Sequence, residues 1–157
     1  MVKQSEHDCI ICLKHRGEVK LFGGFIYEDD LIAISHSLLW GDETRHYLGH
    51  IFIETKRHVP EYAELTDEEA QRIGLYIKRV SNALLHTLDV DHVYSFMIVD
   101  GVPHIHVHVI GRYRGAPREY WGSKVDEWPD APKGGEAEIS RLTNQVRQYL
   151  IDQDMLH

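Results

Sequence analysis

The chain has 157 residues, 43 % of them hydrophobic and 27 % charged, which is typical of one soluble domain, expected here over residues 1–157. Its formal net charge of −8 argues against loose binding to nucleic acid or to an anionic membrane. The sequence contains no run of about 18 apolar residues. Its N-terminal residues lack the apolar stretch of a secretory signal, so we expect a cytoplasmic protein without a membrane span.

The first half of the chain predicts short strands followed by a helix. Three segments have the apolar or β-branched pattern of strands: GGFIYEDD, Leu31–Ser35 and the region around Ile51–Glu54. Thr66 and Glu69 then form a capping box, and apolar residues recur after them at spacings of three and four. This pattern predicts a helix that runs to about His86.

The second half predicts a hairpin, a long loop and a last helix. The β-rich segment Asp91–Val99 is separated from HIHVHVI by the turn signals of 100–103, which predicts an antiparallel hairpin with a loop of about four residues. Residues 111–135 show no periodicity and predict a long, packed loop. An amphipathic helix follows from Glu136 to about Leu150, within a helical segment at 136–153. The fold class is therefore α+β, with a mainly antiparallel sheet, a central helix and a C-terminal helix.

Three histidines alternate with apolar residues in HIHVHVI. On a strand, His104, His106 and His108 would share one face. The intervening residues would face the core: Ile105, Val107 and Val109. The histidine face could simply be solvated, or two or three imidazoles could bind one zinc ion. Alternatively, the row could hold a phosphate and attack its phosphorus, because a neutral imidazole is a nucleophile near pH 7.

The only two cysteines are Cys9 and Cys12, in a C-x-x-C. In a reducing compartment this spacing indicates metal binding or redox chemistry rather than a structural disulfide. Two ordinary buried thiols are the remaining alternative. Twelve histidines in one chain also exceed ordinary usage.

HIHVHVI fits the pattern His-x-His-x-His followed by two apolar residues, and the chain resembles the histidine triad (HIT) superfamily. The segments IYEDDLIAI, GHIFIETKRHV and LTDEEAQ resemble the upstream landmarks of its Hint-like and Fhit-like members, in the same order. The resemblance covers roughly Cys9 to Arg112. It implies an antiparallel sheet with helices packed on it, assembled as a homodimer.

The resemblance also implies an activity. Members of the superfamily transfer or hydrolyse the α-phosphate of adenylyl-type nucleotide derivatives, such as dinucleoside polyphosphates or nucleoside phosphoramidates, so a purine nucleotide is the expected substrate. By the match, His106 is the nucleophile that forms a nucleotidyl-histidine intermediate. His108 contacts the phosphate, and His50 matches a further histidine of the active site. No catalytic metal is required by this chemistry.

Some bacterial members of the superfamily have an N-terminal C-x-x-C that binds zinc. The residues that match their ligands are Cys9, Cys12, His58 and His104, a closed Cys₂His₂ set that implies a structural Zn²⁺. In this interpretation His104 serves the metal, and the other two triad histidines stay free for substrate.

The chain also departs from the family pattern. Many members place a hydroxyl residue in the turn before the triad, but residues 99–103 contain none, so protonation of the leaving group is unassigned. Gly111 stands where a proline is usual, and Glu54 adds a negative charge near a phosphate site. A non-catalytic nucleotide-binding or sensing protein is therefore the main alternative. A zinc hydrolase that uses all three triad histidines is another, and the acidic charge argues against a DNA-end deadenylase.

Overall fold

The computed structural model describes residues 5–157. In chain order its helices and strands are α1 (Ile10–His15), β1 (Tyr27–Glu28), β2 (Ile32–His36), β3 (His46–Tyr47), β4 (His50–Thr55), α2 (Asp67–Thr87), β5 (Val90–Phe96), β6 (His106–Tyr113), β7 (Lys133–Gly134) and α3 (Glu136–Asp152). Short 3₁₀ helices lie at Tyr62–Glu64, Arg118–Tyr120 and Gly122–Glu127. The predicted α+β class is confirmed.

Five strands form one antiparallel sheet in the order β1-β2-β4-β6-β5. Strand β6 therefore lies between β4 and β5, where both of its edges are paired. Its apolar residues face the core as predicted, since Val107 and Val109 are buried, as is Ile105 just before the strand. Helix α2 lies against β4, β5 and β6 on this face, and α3 packs beside α2. The opposite face of β6 carries His106 and His108.

Helix α2 begins where the capping box predicts. The Thr66 side chain accepts a hydrogen bond from the Glu69 backbone N–H at 3.1 Å, and Glu69 Oε2 accepts one from the Thr66 N–H at 2.9 Å. These two bonds satisfy donors that the first turn of a helix leaves free. The buried side of the helix includes Ile73 and Val80 of the predicted stripe.

The hairpin differs from its prediction in one respect. The connection between β5 and β6 covers residues 97–105 and is longer than the predicted four. Its last residues pair elsewhere, because the Ile105 N–H donates to the Val59 carbonyl at 2.8 Å and the Thr55 N–H donates to Ile105 at 3.3 Å. Strand β6 therefore begins at His106, and His104 lies just before it rather than in the same strand row.

Two further elements were not predicted. Helix α1 is only six residues long, too short for a periodic apolar pattern. Residues 111–135 are also more ordered than the loop expected there, since β6 continues to Tyr113 and β7 pairs with β3 to form a second, two-stranded sheet. Among residues 5–157, no helix is both long enough and apolar enough to cross a bilayer.

Candidate active site and metal centre

Four sulfur and nitrogen ligands converge beside α1. Cys9 and Cys12 lie one helical turn apart at the start of α1, and both Sγ atoms lie 3.5 Å from His104 Nδ1. His58 Nδ1 lies 3.4 Å from Cys12 Sγ. One donor atom from each of the four residues lies within 4.8 Å of the other three. All four residues that the family resemblance assigned to zinc are thus brought together.

The chemistry of this group fits a tetrahedral zinc ion. His104 Nε2 donates to the Thr55 carbonyl at 2.7 Å, which leaves the Nδ1 lone pair directed at the two sulfurs. Zinc bonds of about 2.3 Å to sulfur and about 2.0 Å to nitrogen place such ligand atoms roughly 3.5 Å apart. Burial, followed by the neighbouring Cys9, raises the pKa of the Cys12 thiol to about 12. Two buried thiolates therefore need a cation beside them, which disfavours a reactive redox pair.

His106 is the first residue of β6, and its Cα pairs with that of Glu54 on β4. Its Nδ1 lies 2.6 Å from the His104 carbonyl oxygen, so that nitrogen carries the proton and donates it. In the neutral ring the other nitrogen, Nε2, is then a lone pair. Within residues 5–157 it has no hydrogen-bond partner, and the side chain is only half-buried.

His108 is held two residues further along the same face. Its ring stacks on Phe96 of β5 at a centroid distance of 4.5 Å, and Phe52 of β4 meets it edge-on at 4.7 Å. Both phenylalanines are cross-strand partners of His108 in the register. The position of this ring is therefore fixed from both neighbouring strands.

A row of hydrogen bonds runs from His108 to the protein surface. His108 Nδ1 lies 2.8 Å from His50 Nε2, and His50 Nδ1 lies 3.2 Å from His46 Nε2. His46 Nδ1 then lies 2.9 Å from the Glu43 carboxylate. Both intermediate rings are buried, whereas the side chain of Glu43 is 41 % exposed. The family resemblance placed His50 and His108 in the active site, whereas neither His46 nor Glu43 was predicted to belong to it.

Burial keeps the His50 and His108 rings neutral at pH 7. Burial, together with the neighbouring His108 and His46, lowers the pKa of His50 well below its ordinary value. Burial lowers the pKa of His108 to about 4, and His106 adds to this effect. A neutral imidazole carries one N–H and one lone pair, so each ring donates one hydrogen bond and accepts another.

A small, mostly apolar pocket opens beside His106. Its apolar lining includes Ile10 and Ile11 of α1, Phe52 of β4, and Trp40 from the loop before β3. An aromatic and aliphatic pocket of this kind suits a planar heterocycle, and it places the heterocycle next to the free His106 nitrogen.

Glu54 does not present the net negative charge that the sequence suggested for this face. It is buried, and it forms an ion pair with the buried Lys14 and a hydrogen bond with His15 Nε2 at 3.0 Å. Burial opposes ionisation, but the charge of Lys14 and these hydrogen bonds outweigh it and lower the pKa of Glu54 to about 2. The carboxylate is thus compensated within the protein.

Two arginines at the end of β6, Arg112 and Arg114, are both paired with acidic residues. Arg112 pairs with Asp91 at 3.0 Å and with the Tyr94 hydroxyl at 2.9 Å, and its guanidinium lies 3.7 Å from the centroid of the Trp121 ring. Arg114 pairs with Asp89 at 3.1 Å. The charges of both arginines are therefore balanced within the protein.

Fold and site together define a class of protein: an antiparallel α+β domain whose central strand presents histidines next to a Cys₂His₂ group. The family model for the HIT domain matches residues 24–115, more than half of the chain. The chain therefore belongs to the HIT domain family, as the histidine triad predicted. Members of this family are nucleotide-binding proteins, and they are generally hydrolases or transferases. No curated protein matches the sequence at a significant level.

Solved structures with the same fold cover almost the whole chain. A Zn-bound histidine triad family protein from Mycobacterium smegmatis is 19 % identical, with a TM-score of 0.70 over 95 % of this chain and 99 % of that one. A hypothetical histidine triad nucleotide-binding protein from Sulfolobus tokodaii is 21 % identical, with a TM-score of 0.69 over 93 % and 94 %. At these identities the likeness concerns the fold.

Proposed function

We propose that the protein is a nucleotide hydrolase or transferase that attacks the α-phosphate of an adenylyl-type nucleotide derivative through His106. One observation carries this proposal: the hydrogen bond from His106 Nδ1 to the His104 carbonyl leaves Nε2 unprotonated beside the apolar pocket. A nucleophilic imidazole needs this tautomer. The backbone acceptor also fixes the ring angle, so little reorganisation is needed when the substrate binds.

The reaction would proceed in two steps. In the first, the His106 Nε2 lone pair bonds to the α-phosphorus while the bond to the leaving group breaks. The resulting imidazolium keeps its Nδ1 proton on the His104 carbonyl, which stabilises the positive charge. In the second step, water attacks the same phosphorus and the electron pair of the phosphorus–nitrogen bond returns to His106. His108 and His50 lie beside the reacting group and contact it or the attacking water.

We also propose that Cys9, Cys12, His58 and His104 hold a structural Zn²⁺. When bound, zinc would supply no reaction step, because four protein ligands close its coordination shell. The donor distances and the Zn-bound relative support this assignment. The group contains His104 but neither His106 nor His108, which speaks against the alternative of a catalytic zinc held by all three triad histidines. The cluster would fix the chain that leads into β6, and with it the carbonyl that orients the nucleophile.

The test is direct detection of the covalent intermediate. The protein is mixed with the p-nitrophenyl ester of AMP at low temperature and quenched in alkaline denaturant, because a phosphorus–nitrogen bond is acid-labile. We expect mass spectrometry to find one adenylyl group on His106. The His106→Ala variant should lack the adduct and still bind AMP in calorimetry, and His86→Ala, an exposed histidine on α2, should behave as wild type. Turnover without an adduct, or an adduct in His106→Ala, would remove the proposal.

A non-catalytic nucleotide-binding protein is a second candidate, favoured by one observation. Residues 97–105, which lead into β6, contain no serine or threonine hydroxyl that could assist a leaving group. Tight AMP binding with no product from dinucleoside polyphosphates, nucleoside phosphoramidates or adenylated conjugates would favour this candidate.

A single cytoplasmic domain that forms a homodimer also remains a proposal from the family, and light scattering of the purified protein tests its oligomeric state.

A further inference from the structure

Four side chains form one continuous hydrogen-bonded row, called here the imidazole chain: Glu43, His46, His50 and His108. It begins at an exposed carboxylate, passes through two buried rings and ends at the half-buried ring beside His106. The chemistry proposed above involves two of its members and leaves His46 and Glu43 unused. An ordered row of this length across the interior of a site suggests a path for a proton.

The direction of the imidazole chain follows from its outer end. An ionised carboxylate can only accept, so His46 Nδ1 carries a proton, and in the neutral ring His46 Nε2 is then a lone pair. That lone pair accepts from His50 Nδ1–H, and His50 Nε2 in turn accepts from His108 Nδ1–H. His108 Nε2 is therefore left as a lone pair. Within residues 5–157 it has no hydrogen-bond partner.

The surroundings of Glu43 keep that carboxylate ionised. Burial opposes ionisation, but hydrogen bonds from the Trp40 backbone N–H at 3.0 Å and from His46 outweigh it, so the pKa of Glu43 lies below its ordinary value. Lys133 on β7 contributes a favourable charge from the other side. His36 on β2 meets the His46 ring edge-on and is itself buried and neutral, with its pKa lowered to about 4 by burial.

We propose that the imidazole chain is a proton relay: His108 removes a proton from the water that hydrolyses the nucleotidyl-histidine, and Glu43 receives the proton at the far end. This inference rests on the proposed function. It makes His108 the base of the second step, and it makes His46 and Glu43 positioning residues that set the tautomer of His108 and take up charge. General bases placed in this way accelerate such steps by about 10²–10⁴-fold.

The water O–H bond breaks, its proton bonds to His108 Nε2, and its oxygen bonds to the phosphorus as the bond to His106 breaks. The Nδ1 proton of His108 passes to His50 Nε2, that of His50 to His46 Nε2, and that of His46 to Glu43. Every ring stays neutral and ends as its other tautomer. The chain resets when His108 Nε2–H gives its proton to the next leaving group or to solvent and the transfers reverse.

The tautomers can be read without any substrate. In ¹⁵N-resolved NMR of the wild-type protein, we expect His46, His50 and His108 each to carry the proton on Nδ1. Glu43→Ala removes the acceptor that imposes this order, so a large share of His108 should shift to the Nε2–H form. Asp42→Asn, the neighbouring exposed acid of the same loop, should change nothing. A wild-type His108 protonated on Nε2, or tautomers unaffected by Glu43→Ala, would overturn the relay.

The p-nitrophenyl ester of AMP separates the two steps, because nitrophenolate leaves without a proton. Its initial burst reports formation of the adduct, and its steady-state rate reports hydrolysis of the adduct. Glu43→Gln keeps an oxygen acceptor for His46 but cannot take up a proton. We therefore expect a full burst followed by a steady-state rate at least about tenfold lower, with wild-type tautomers in NMR.

Failure of the proton relay and failure of the proposed function would give different results in these experiments. Turnover in the wild type with neither a burst nor a trapped adduct would refute the nucleotidyl-histidine, and the tautomer order would then be judged by NMR alone. A normal burst with an unchanged steady-state rate in Glu43→Gln would refute the proton path while keeping His106 as nucleophile. A structural role of the imidazole chain alone would lower thermal stability in Glu43→Ala but would not accumulate adduct in Glu43→Gln.

Discussion

The backbone carbonyl of His104 accepts the Nδ1 proton of His106 at 2.6 Å, while the ring of His104 directs its own Nδ1 at Cys9 and Cys12. One residue therefore serves both groups, the carbonyl orienting a ring of the candidate active site and the side chain belonging to the cysteine cluster. Any change that loosens the His104 ring reaches His106 through two residues of backbone.

Removal of zinc should lower stability first and activity second. We expect one zinc per chain by elemental analysis, and a melting temperature lower by on the order of 10 °C after chelation or in Cys9→Ser. The cause is the loss of a bond that ties α1 to the segment before β6. His7→Ala, an exposed histidine near the cluster, is the control. An unchanged melting temperature in zinc-free protein would argue against a structural site.

Glu54→Gln should be strongly destabilising. The substitution leaves Lys14 buried without a counter-charge, and loss of one partner of a buried ion pair costs about 3–5 kcal/mol. Urea unfolding at pH 7 measures the change in the free energy of unfolding. The matched control is Glu28→Gln, which breaks a surface pair with Lys56 and should cost no more than about 1 kcal/mol. Equal effects of the two variants would contradict the buried ion pair.

Stability should fall as the pH is lowered from about 6.5 to about 4. Burial lowers the pKa of His36 to about 4, so between these values the unfolded chain binds a proton that the folded chain does not. The structural reason is that His36 Nδ1 donates to the Ser37 carbonyl and Nε2 accepts from the Gly49 N–H, which leaves no lone pair for a second proton. The burial of His50 acts in the same direction.

Urea unfolding midpoints at a series of pH values between 7 and 4 test whether stability falls as the pH is lowered. His36→Asn removes one of the titrating groups, so its stability should decline less steeply with falling pH than that of the wild type. His86→Asn, on the exposed side of α2, should keep the wild-type slope. Stability that rises towards pH 4 would contradict the neutral burial of these rings.

Gly111 should not tolerate a side chain. A Cβ at this position would lie 2.8 Å from Val90 Cγ1, closer than real carbon contacts. We expect Gly111→Ala to cost about 1–3 kcal/mol, because the neighbouring strands must move apart. Gly111→Ala combined with Val90→Ala should recover part of this loss relative to Val90→Ala alone. Additive effects of the two changes in urea unfolding would show that the contact is not the cause.

Local sequence patterns predicted most of the strands and helices around the site. They did not predict contacts between residues that are far apart in the sequence. The alternation in HIHVHVI predicted the core face of β6, and the capping box predicted the start of α2. The ion pair between Glu54 and Lys14 joins β4 to a helix that leaves no periodic signal. A charged residue within an apolar strand was the available sign that a buried counter-charge must exist.

His46 was missed for a related reason. Its place in the imidazole chain depends on β3, a strand of two residues that exists because β7 returns to pair with it. No two-residue strand has a pattern of its own, and the partner lies nearly ninety residues further along the chain. The spacing His46 to His50, four apart across a turn, gave no indication that the two rings would meet.

The pairing of β3 with β7 also determines where the molecule can vary. The segment from Tyr113 to Lys133 is held by a sheet at each end. Tyr113 is the last residue of β6, and Lys133 lies in β7, which pairs with the strand that carries His46. Insertions at its exposed positions, such as Ser123 and Lys124, can be absorbed locally, since lengthening a closed surface loop costs little free energy, whereas Val125 is buried in the core. The segment is therefore a natural place for related chains to diverge in length, and for grafted peptides or labels, without disturbing either histidine group.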